Sequence, residues 1–290
     1  MAGAWTRLGL IAGGGELPVH VAEAARADGR LATVVALKGF ADPARFEGAK
    51  TRGLGELGGV MKDLAQARCD AVCFAGIVSR PDFSQIKPDF KGISVLPKMI
   101  AAAARGDDAL LRTVIGVFEA EGLAVVGADE IARELTAREG YLGAQRPDEA
   151  QRRDALRALH IAGVIGAEDV GQGAVVCDGL VLAVEAQEGT DAMLQRVAGL
   201  PETIRGAPEQ RRGVLAKRPK PGQERRIDLP VIGVSTVEGA ACAGLAGIAA
   251  PAGGALILGA EAVARAAEDA GLFVWIVNDA AGGEEAAGDG

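Results

Sequence analysis

The sequence predicts an α/β fold in two parts, on three observations: a length of 290 residues, an aliphatic interior with only 3% aromatics, and short apolar runs alternating with amphipathic stretches in the first half. The length suits two cores of roughly 150 residues each. In order, residues 7–12 (RLGLIA) read as a strand, Gly13-Gly14-Gly15 as a turn, and 17–27 as a helix with Pro18 in its first turn, where a missing N–H costs nothing. Residues 31–37 (LATVVAL) give a second strand, 56–67 a helix, and 70–75 a third strand. A helix is expected to open on Pro97 and run to 104, another to cover 107–121, and a strand to follow at 123–126. Strands separated by helices imply a parallel, helix-covered sheet, so the first part is expected to be a Rossmann-like, doubly wound domain.

Residues 136–147 (TAREGYLGAQRP) break this rhythm with two glycines and a proline, and a new helix begins at Asp148. The domain boundary is therefore expected there, with 1–143 as the Rossmann-like domain and 144–280 as a mixed α/β domain. Paired strands at 173–177 and 180–184 flank Asp178-Gly179, a hairpin-turn dipeptide. A helix over 191–198, a strand at 213–216, a polar loop to 228, a strand at 231–234 and a helix over 237–246 follow. The tail, 281–290, is mostly Gly, Ala and acid and is expected to be disordered.

Composition removes several functions. Hydrophobic residues at 49% exclude a disordered chain, and aromatics are too scarce for a base-stacking platform. With 31 basic against 39 acidic residues the net charge is −8, so no nucleic-acid partner is expected and any phosphate contact falls to a local cationic patch. Four scattered cysteines fit a reducing cytoplasm. No basic segment leads into a long apolar run and no apolar stretch reaches membrane-spanning length, so a soluble protein is expected. Two histidines are too few for a calcineurin-like dinuclear site or a zinc hydrolase, and there is no G-x-x-x-x-G-K-[ST] loop or G-x-S-x-G elbow.

Gly13, Gly14 and Gly15, between a strand and a helix, are placed to offer backbone N–H groups to a phosphate or nucleoside. A dinucleotide fingerprint matches poorly, because Pro18 stands where the third glycine belongs and Lys38, not an acid, follows the second strand. A tight turn without a ligand is the competing reading. Arg80 lies at the carboxyl edge of the expected sheet and could fork onto a phosphate, or be a loop arginine. Asp107 is a natural N-cap, which explains it without catalysis, and Arg112 follows on the same helix.

The densest polar clusters lie in the second part. Residues 168–173 (EDVGQG) enter the first hairpin strand and 185–191 (EAQEGTD) leave the second, so both meet at one end of the pair. Carboxylates beside a helix N-terminus suit a hydrated Mg²⁺ carrying a substrate phosphate, or a plain capped helix with solvated acids. In 217–230, Lys217, Arg218, Lys220, Arg225 and Arg226 surround one aspartate, Asp228, a seat for a pyrophosphate in an acidic chain. Those cations are expected to lower the pKa of Asp228 and keep it ionised, able to bind metal or orient water.

Six ordered segments, GLIAGGGELP (9–18), VSRP (78–81), GDDALLR (106–112), DVGQGAVV (169–176), AVEAQEGTDAML (183–194) and KPGQERRIDLPVIG (220–233), together resemble the UDP-2,3-diacylglucosamine pyrophosphatase family of lipid A biosynthesis, the type unrelated to the calcineurin-like enzyme. The resemblance spans about residues 7–277. It implies hydrolysis of UDP-2,3-diacylglucosamine to 2,3-diacylglucosamine 1-phosphate (lipid X) and UMP by water attack on the β-phosphate, with a divalent cation, Mg²⁺ or Mn²⁺, and a ligand between two domains. By motif, Asp228 matches the essential aspartate, with Lys217 and Lys220 neutralising developing charge. Gln172, Gln187, Thr190 and Asp191 match the pocket-forming motifs of the second domain, and Gly13 to Gly15 the N-terminal motif, on the nucleotide side; beside these matches, Arg80 and Gln223 are expected to contact substrate, and Asp228, Glu188 and Asp191 to form the metal set. Glu224 departs from the aspartate expected after Gln223, with the charge kept. The partners implied are the UDP-linked diacylated glucosamine and its phosphoglycolipid product. The expected location is cytoplasmic, with transient peripheral contact at the inner face of the inner membrane. Two other classes compete: a noncatalytic nucleotide or lipid carrier, which would bind without turnover, and a Rossmann-type oxidoreductase, disfavoured by the missing glycine and acid.

Overall fold

The computed structural model describes residues 5–79 and 82–278. The chain divides into two compact units, one of residues 1–134 with 224–227, the other of 135–223 with 228–290. The division precedes the boundary expected at 143/144, because residues 140–142, read as part of an interruption, form a strand of the second unit. The expected tail, 281–290, lies outside the described residues.

In the first unit β1 (Leu8–Ala12), α1 (Leu17–Ala27), β2 (Leu31–Leu37), β3 (Lys50–Arg52), α2 (Leu57–Gln66), β4 (Ala71–Ala75), α3 (Phe90–Ala103), α4 (Asp107–Glu119), β5 (Ala124–Val125) and α5 (Ala128–Ile131) follow in order. Among the described residues its sheet runs β3-β2-β1-β4-β5, and every pair is parallel. This is the doubly wound α/β arrangement that the alternation predicts. Helix α1 buries Pro18, Val21, Ala22 and Ala25, a stripe at three- and four-residue spacing that can only face the sheet. Helices α2 and α4 close another face through Val60, Leu64, Ile115 and Phe118, packed on Ile11, Val35 and Val72. Each such side chain contributes about 1.5–3 kcal/mol when fully withdrawn from water.

One expectation fails here. Pro97 does not open α3 but sits inside it, because Asp89, eight residues earlier, caps the helix, its carboxylate accepting from the amide of Gly92 (2.8 Å) and, from α2, that of Gly59 (3.0 Å). Pro97 lies on an exposed position.

The second unit contains β6 (Gly140–Leu142), α6 (Glu149–Ala167), β7 (Gly173–Cys177), β8 (Leu180–Val184), α7 (Gly189–Ala198), β9 (Val214–Lys217), β10 (Val231–Ile232), α8 (Val234–Cys242), β11 (Gly247–Pro251), β12 (Leu256–Ile257), α9 (Ala260–Ala270) and β13 (Phe273–Val277). Its main sheet runs β6-β13-β11-β9-β7-β8 and is mixed: β9, β11 and β13 are parallel, while β6, β7 and β8 pair antiparallel. Short β10 and β12 pair in parallel. Alternation along the strands sorts the two faces. Val176, Val214, Ala216 and Ala249 pack with Ala155, Ala158 and Leu159 of α6. Val175, Leu215, Ile248 and Val274 pack with residues of α7, α8 and α9, including Met193, Val237 and Val263.

The Asp178-Gly179 turn takes the form its sequence demands, with φ of 49° and 78°, the double positive geometry that matches strand twist. Asp154 of α6, buried, locks it by accepting from the amides of Asp178 and Gly179, both at 2.8 Å.

Candidate active site

The α7 to α9 face of the second sheet ends in a polar row. Val175 stands opposite Ala183 on one side and Leu215 on the other. Two residues further along, Gly173 pairs with Lys217, and the amide of Glu185 donates to the carbonyl of Gly173 at 2.8 Å. Residues opposed across an antiparallel pair share a face, so Glu185, Gly173 and Lys217 continue the apolar row as acid, gap and base. The two segments that the sequence sends to one end of the hairpin are thereby joined.

Each member is buried. Glu185 and Lys217 are both 6% exposed. Glu185 Oε1 accepts from the Thr190 hydroxyl at 2.8 Å, while its Oε2, like Gln172 Oε1, is buried with no hydrogen-bond partner. A Cβ at Gly173 would stand 2.7 Å from Glu185 Oε2, so a side chain there would displace the carboxylate. Lys217 Nζ donates to the carbonyl of Val231. Burial pushes its ammonium pKa down, against the pull of Glu185, Asp191 and Asp228.

Asp228 enters from the loop before β10. The side-chain amide of Gln223 donates to its Oδ2, and Gln223 is itself fixed by the amide of Lys220 donating to its Oε1 at 2.7 Å. Lys220 Nζ in turn pairs with Asp169 at 2.6 Å. The expectation that cations hold Asp228 below the usual carboxylate range is overturned: burial dominates and raises it, with Lys220 and Lys217 opposing and Glu185 adding to the rise. Arg226 is occupied elsewhere. Residues 224–227 join the first unit, where Arg226 pairs with Glu224 (2.9 Å) and Glu119 (2.8 Å) and the amide of Glu224 donates to Asp108 at 2.9 Å.

The remaining candidates divide. Thr190 and Asp191 lie in the first turn of α7, Thr190 on Glu185 and Asp191 exposed, and Gln187 is exposed in the turn before it. Glu188 Oε1 pairs with Arg196 at 2.5 Å, which helps hold its carboxyl below the usual range after a backbone N–H. In the first unit, the amides of Gly13 and Gly14 are spent on the carbonyls of Ala75 and Ile77, each at 2.8 Å, so they are not the phosphate donors that the turn suggests. Gly15, at φ 85°, keeps an exposed position at the start of α1. Arg80 lies outside the described residues. Glu185 and Asp169 fall in the two polar segments that the sequence brings together, but neither was given a role of its own. The signal for Glu185 was available: an acid two residues after inward-facing Ala183 falls on the buried side of a strand, where a charge needs a reason.

Among the described residues no three His, Cys, Asp or Glu side chains gather closely enough to hold a metal. A hydrated Mg²⁺ needs only one or two carboxylates, its other positions going to water and phosphate oxygens. The carboxyl of Asp228, part-buried, offers one such ligand, while Glu185 Oε2 and Gln172 Oε1 are enclosed without hydrogen-bond partners. The cysteines take no part. Burial pushes the Cys69 and Cys177 thiols up to about 11, and Cys73 is raised further by full burial.

Two family models match, one described as the LpxI N-terminal domain over residues 7–135, the other as the LpxI C-terminal domain over 138–275. The chain is also 57% identical over 270 residues to the UDP-2,3-diacylglucosamine pyrophosphatase LpxI of Caulobacter vibrioides, a stretch covering 92% of this chain and 96% of that protein.

Proposed function

The chain belongs to the LpxI family, and from that membership we propose that it is a hydrolase that cleaves the pyrophosphate of UDP-2,3-diacylglucosamine in lipid A biosynthesis, giving 2,3-diacylglucosamine 1-phosphate and UMP. The observation that carries the reading is the burial of Lys217 and Glu185 at the end of the sheet, with part-buried Asp228 within electrostatic reach of both. Pyrophosphate hydrolysis needs a water held in line with one phosphorus, an acceptor for its proton, and cations on the oxygens where charge develops. Asp228 supplies the acceptor. Its carboxyl, raised by burial, is a stronger base than an exposed aspartate, and Gln223 fixes one oxygen so that the other addresses the water. Lys217, withdrawn from solvent, acts on phosphate oxygens through little screening, and Lys220 adds a second cation held by Asp169. Thr190, Gln172, Gln187 and Asp191 line the substrate side.

A divalent cation, Mg²⁺ or Mn²⁺, would be held by Asp228 with Asp191 nearby, and would supply charge neutralisation on the phosphates. Water attacks the β-phosphorus. Turnover in ¹⁸O-water tests this directly: the label is expected in the diacylglucosamine 1-phosphate, and label in UMP instead would place attack on the α-phosphorus. Chelation tests the metal, since full turnover after exhaustive EDTA treatment would exclude it.

The site of action is the cytoplasm, with peripheral contact at the membrane that holds the lipid substrate. Among the described residues no helix is long and apolar enough to cross a membrane. What supports peripheral contact is α3, where Phe90 is 93% exposed and Ile93 and Ile100 follow on the same side, with exposed Lys87 and Lys98 beside them.

A further inference from the structure

The loop that carries Asp228 leaves the second unit and rejoins it within a few residues. Gln223 and Asp228 belong to the second unit, and residues 224–227 between them belong to the first. The two flanking side chains meet, the Gln223 amide donating to Asp228 Oδ2. What lies between is a tight turn, closed by the Ile227 amide donating to the Glu224 carbonyl at 3.2 Å. Arg226 braces it: Nε and one terminal nitrogen donate to the two carboxylate oxygens of Glu224, each at 2.9 Å. The other terminal nitrogen donates to Glu119, at the end of α4, at 2.8 Å. The start of α4 holds the turn as well, Asp108 accepting from the Glu224 amide at 2.9 Å. Ile227 packs on the core that α2 and α4 close.

We infer that Arg226 is a positioning residue for Asp228, which rests on the reading of Asp228 as the acceptor of the water's proton. Asp228 follows Ile227 directly, so the path of the turn sets where its carboxyl stands. Gln223 cannot set it alone, because it stands at the other end of the same turn. A lone exposed ion pair would contribute little here. The fork differs, since two parallel N–H···O bonds fix direction as well as distance, and the Glu224 side chain is only 12% exposed. The charge that Glu224 keeps in place of the expected aspartate is the one Arg226 grips. Anchored to both ends of α4, the brace ties the carboxyl to a rigid helix instead of leaving it to a free loop, and a displacement of about 1 Å can cost roughly 10²-fold in rate.

The test is a double-mutant cycle on the full chain with UDP-2,3-diacylglucosamine, measuring kcat and KM for Arg226→Gln in the wild-type and Asp228→Asn backgrounds. A residue that acts through Asp228 matters only while that carboxylate is present, whereas a purely structural one costs the same in both. In the wild-type background kcat is expected to fall at least roughly fivefold with KM within about threefold. In Asp228→Asn the same change should cost less than about twofold. Melting curves report whether each variant is folded. If Arg226→Gln is not, Glu119→Gln, which leaves the fork but removes its anchor on α4, takes its place in the cycle, with a fall of at least roughly threefold expected. A smaller fall in the wild-type background, or a comparable loss in both backgrounds, would overturn the positioning role. Wild-type turnover in folded Asp228→Asn would instead overturn the role of Asp228 itself.

Discussion

The ammonium of Lys217 donates to the carbonyl oxygen of Val231 across 3.0 Å, tying the end of β9 to the strand that Asp228 precedes. This uses one of three N–H donors and leaves two for phosphate oxygens. Lys217→Met keeps the buried stem and removes the charge. Turnover should fall by roughly 10²–10³-fold, about 3–4 kcal/mol of barrier, as for loss of one preorganised donor to a developing oxyanion. Single-turnover rates on protein with an unchanged melting curve check this, and a loss under tenfold would remove Lys217 from the chemistry.

Asp228 makes a prediction of opposite sign for activity and stability. Its pKa is raised above the ordinary 3.8 in the folded state, so the folded chain keeps a proton there that the unfolded chain releases. That stabilisation is complete below pH 3.8 and is lost as pH rises through the folded value. At neutral pH the ionised, part-buried carboxylate is therefore a liability. Asp228→Asn should melt no lower than wild type at pH 7.5, with any advantage shrinking on acidification, while turnover drops by about 10³-fold or more and substrate still binds. A folded Asn variant within tenfold of wild type, about 1.4 kcal/mol, would exclude the catalytic role.

Asp154 should behave in the reverse way. Replacing it with Ala strips two amides of the exposed hairpin turn of their acceptor, and a hydrogen bond to a charged group contributes about 1.5–3 kcal/mol, less where water can take its place. The melting temperature should fall measurably, with the turnover of the remaining folded protein near normal. A variant of unchanged stability would show that water replaces the carboxylate.

For α3, Phe90→Ser combined with Ile93→Ser should reduce sedimentation with vesicles of anionic phospholipid at least several-fold and leave the melting temperature within a degree or two, because both side chains are already exposed. Equal sedimentation of variant and wild type would remove α3 as the contact.

Local signals carried the fold where the physics is local. Helix α1 and strands β2, β7 and β8 fall where their periodicity puts them, and the Asp-Gly turn has the backbone that its residues require. Failures came where a distant partner decides. Lys50–Arg52 is short and charged, a strand only because it pairs with the edge of β2. Gly140–Leu142 is a strand because β13 accepts it.

The same distinction holds in the site. The polar segments and Asp228 were legible, since charge concentrated in an acidic chain stands out. The spent amides of Gly13 and Gly14 were not, because Ala75 and Ile77, their acceptors, are far along the chain. Nor was the direction of Asp228's pKa. Its sequence neighbour Arg226 is engaged with Glu119 and Glu224, and burial, which no neighbour list reveals, outweighs Lys217 and Lys220.

The pairing of β6 with β13 sets a clock on biosynthesis. The first strand of the second unit waits for the last, and with synthesis at about 5–20 residues per second the intervening stretch of roughly 130 residues takes on the order of 7–26 s to emerge. Throughout that interval Gly140–Leu142 has no strand to pair with, and β11 keeps open the edge that β13 will take. A nascent chain stalled before residue 273 would carry Lys217 and Asp228 but an unfinished sheet, so chaperone demand should be concentrated late in translation rather than spread along it.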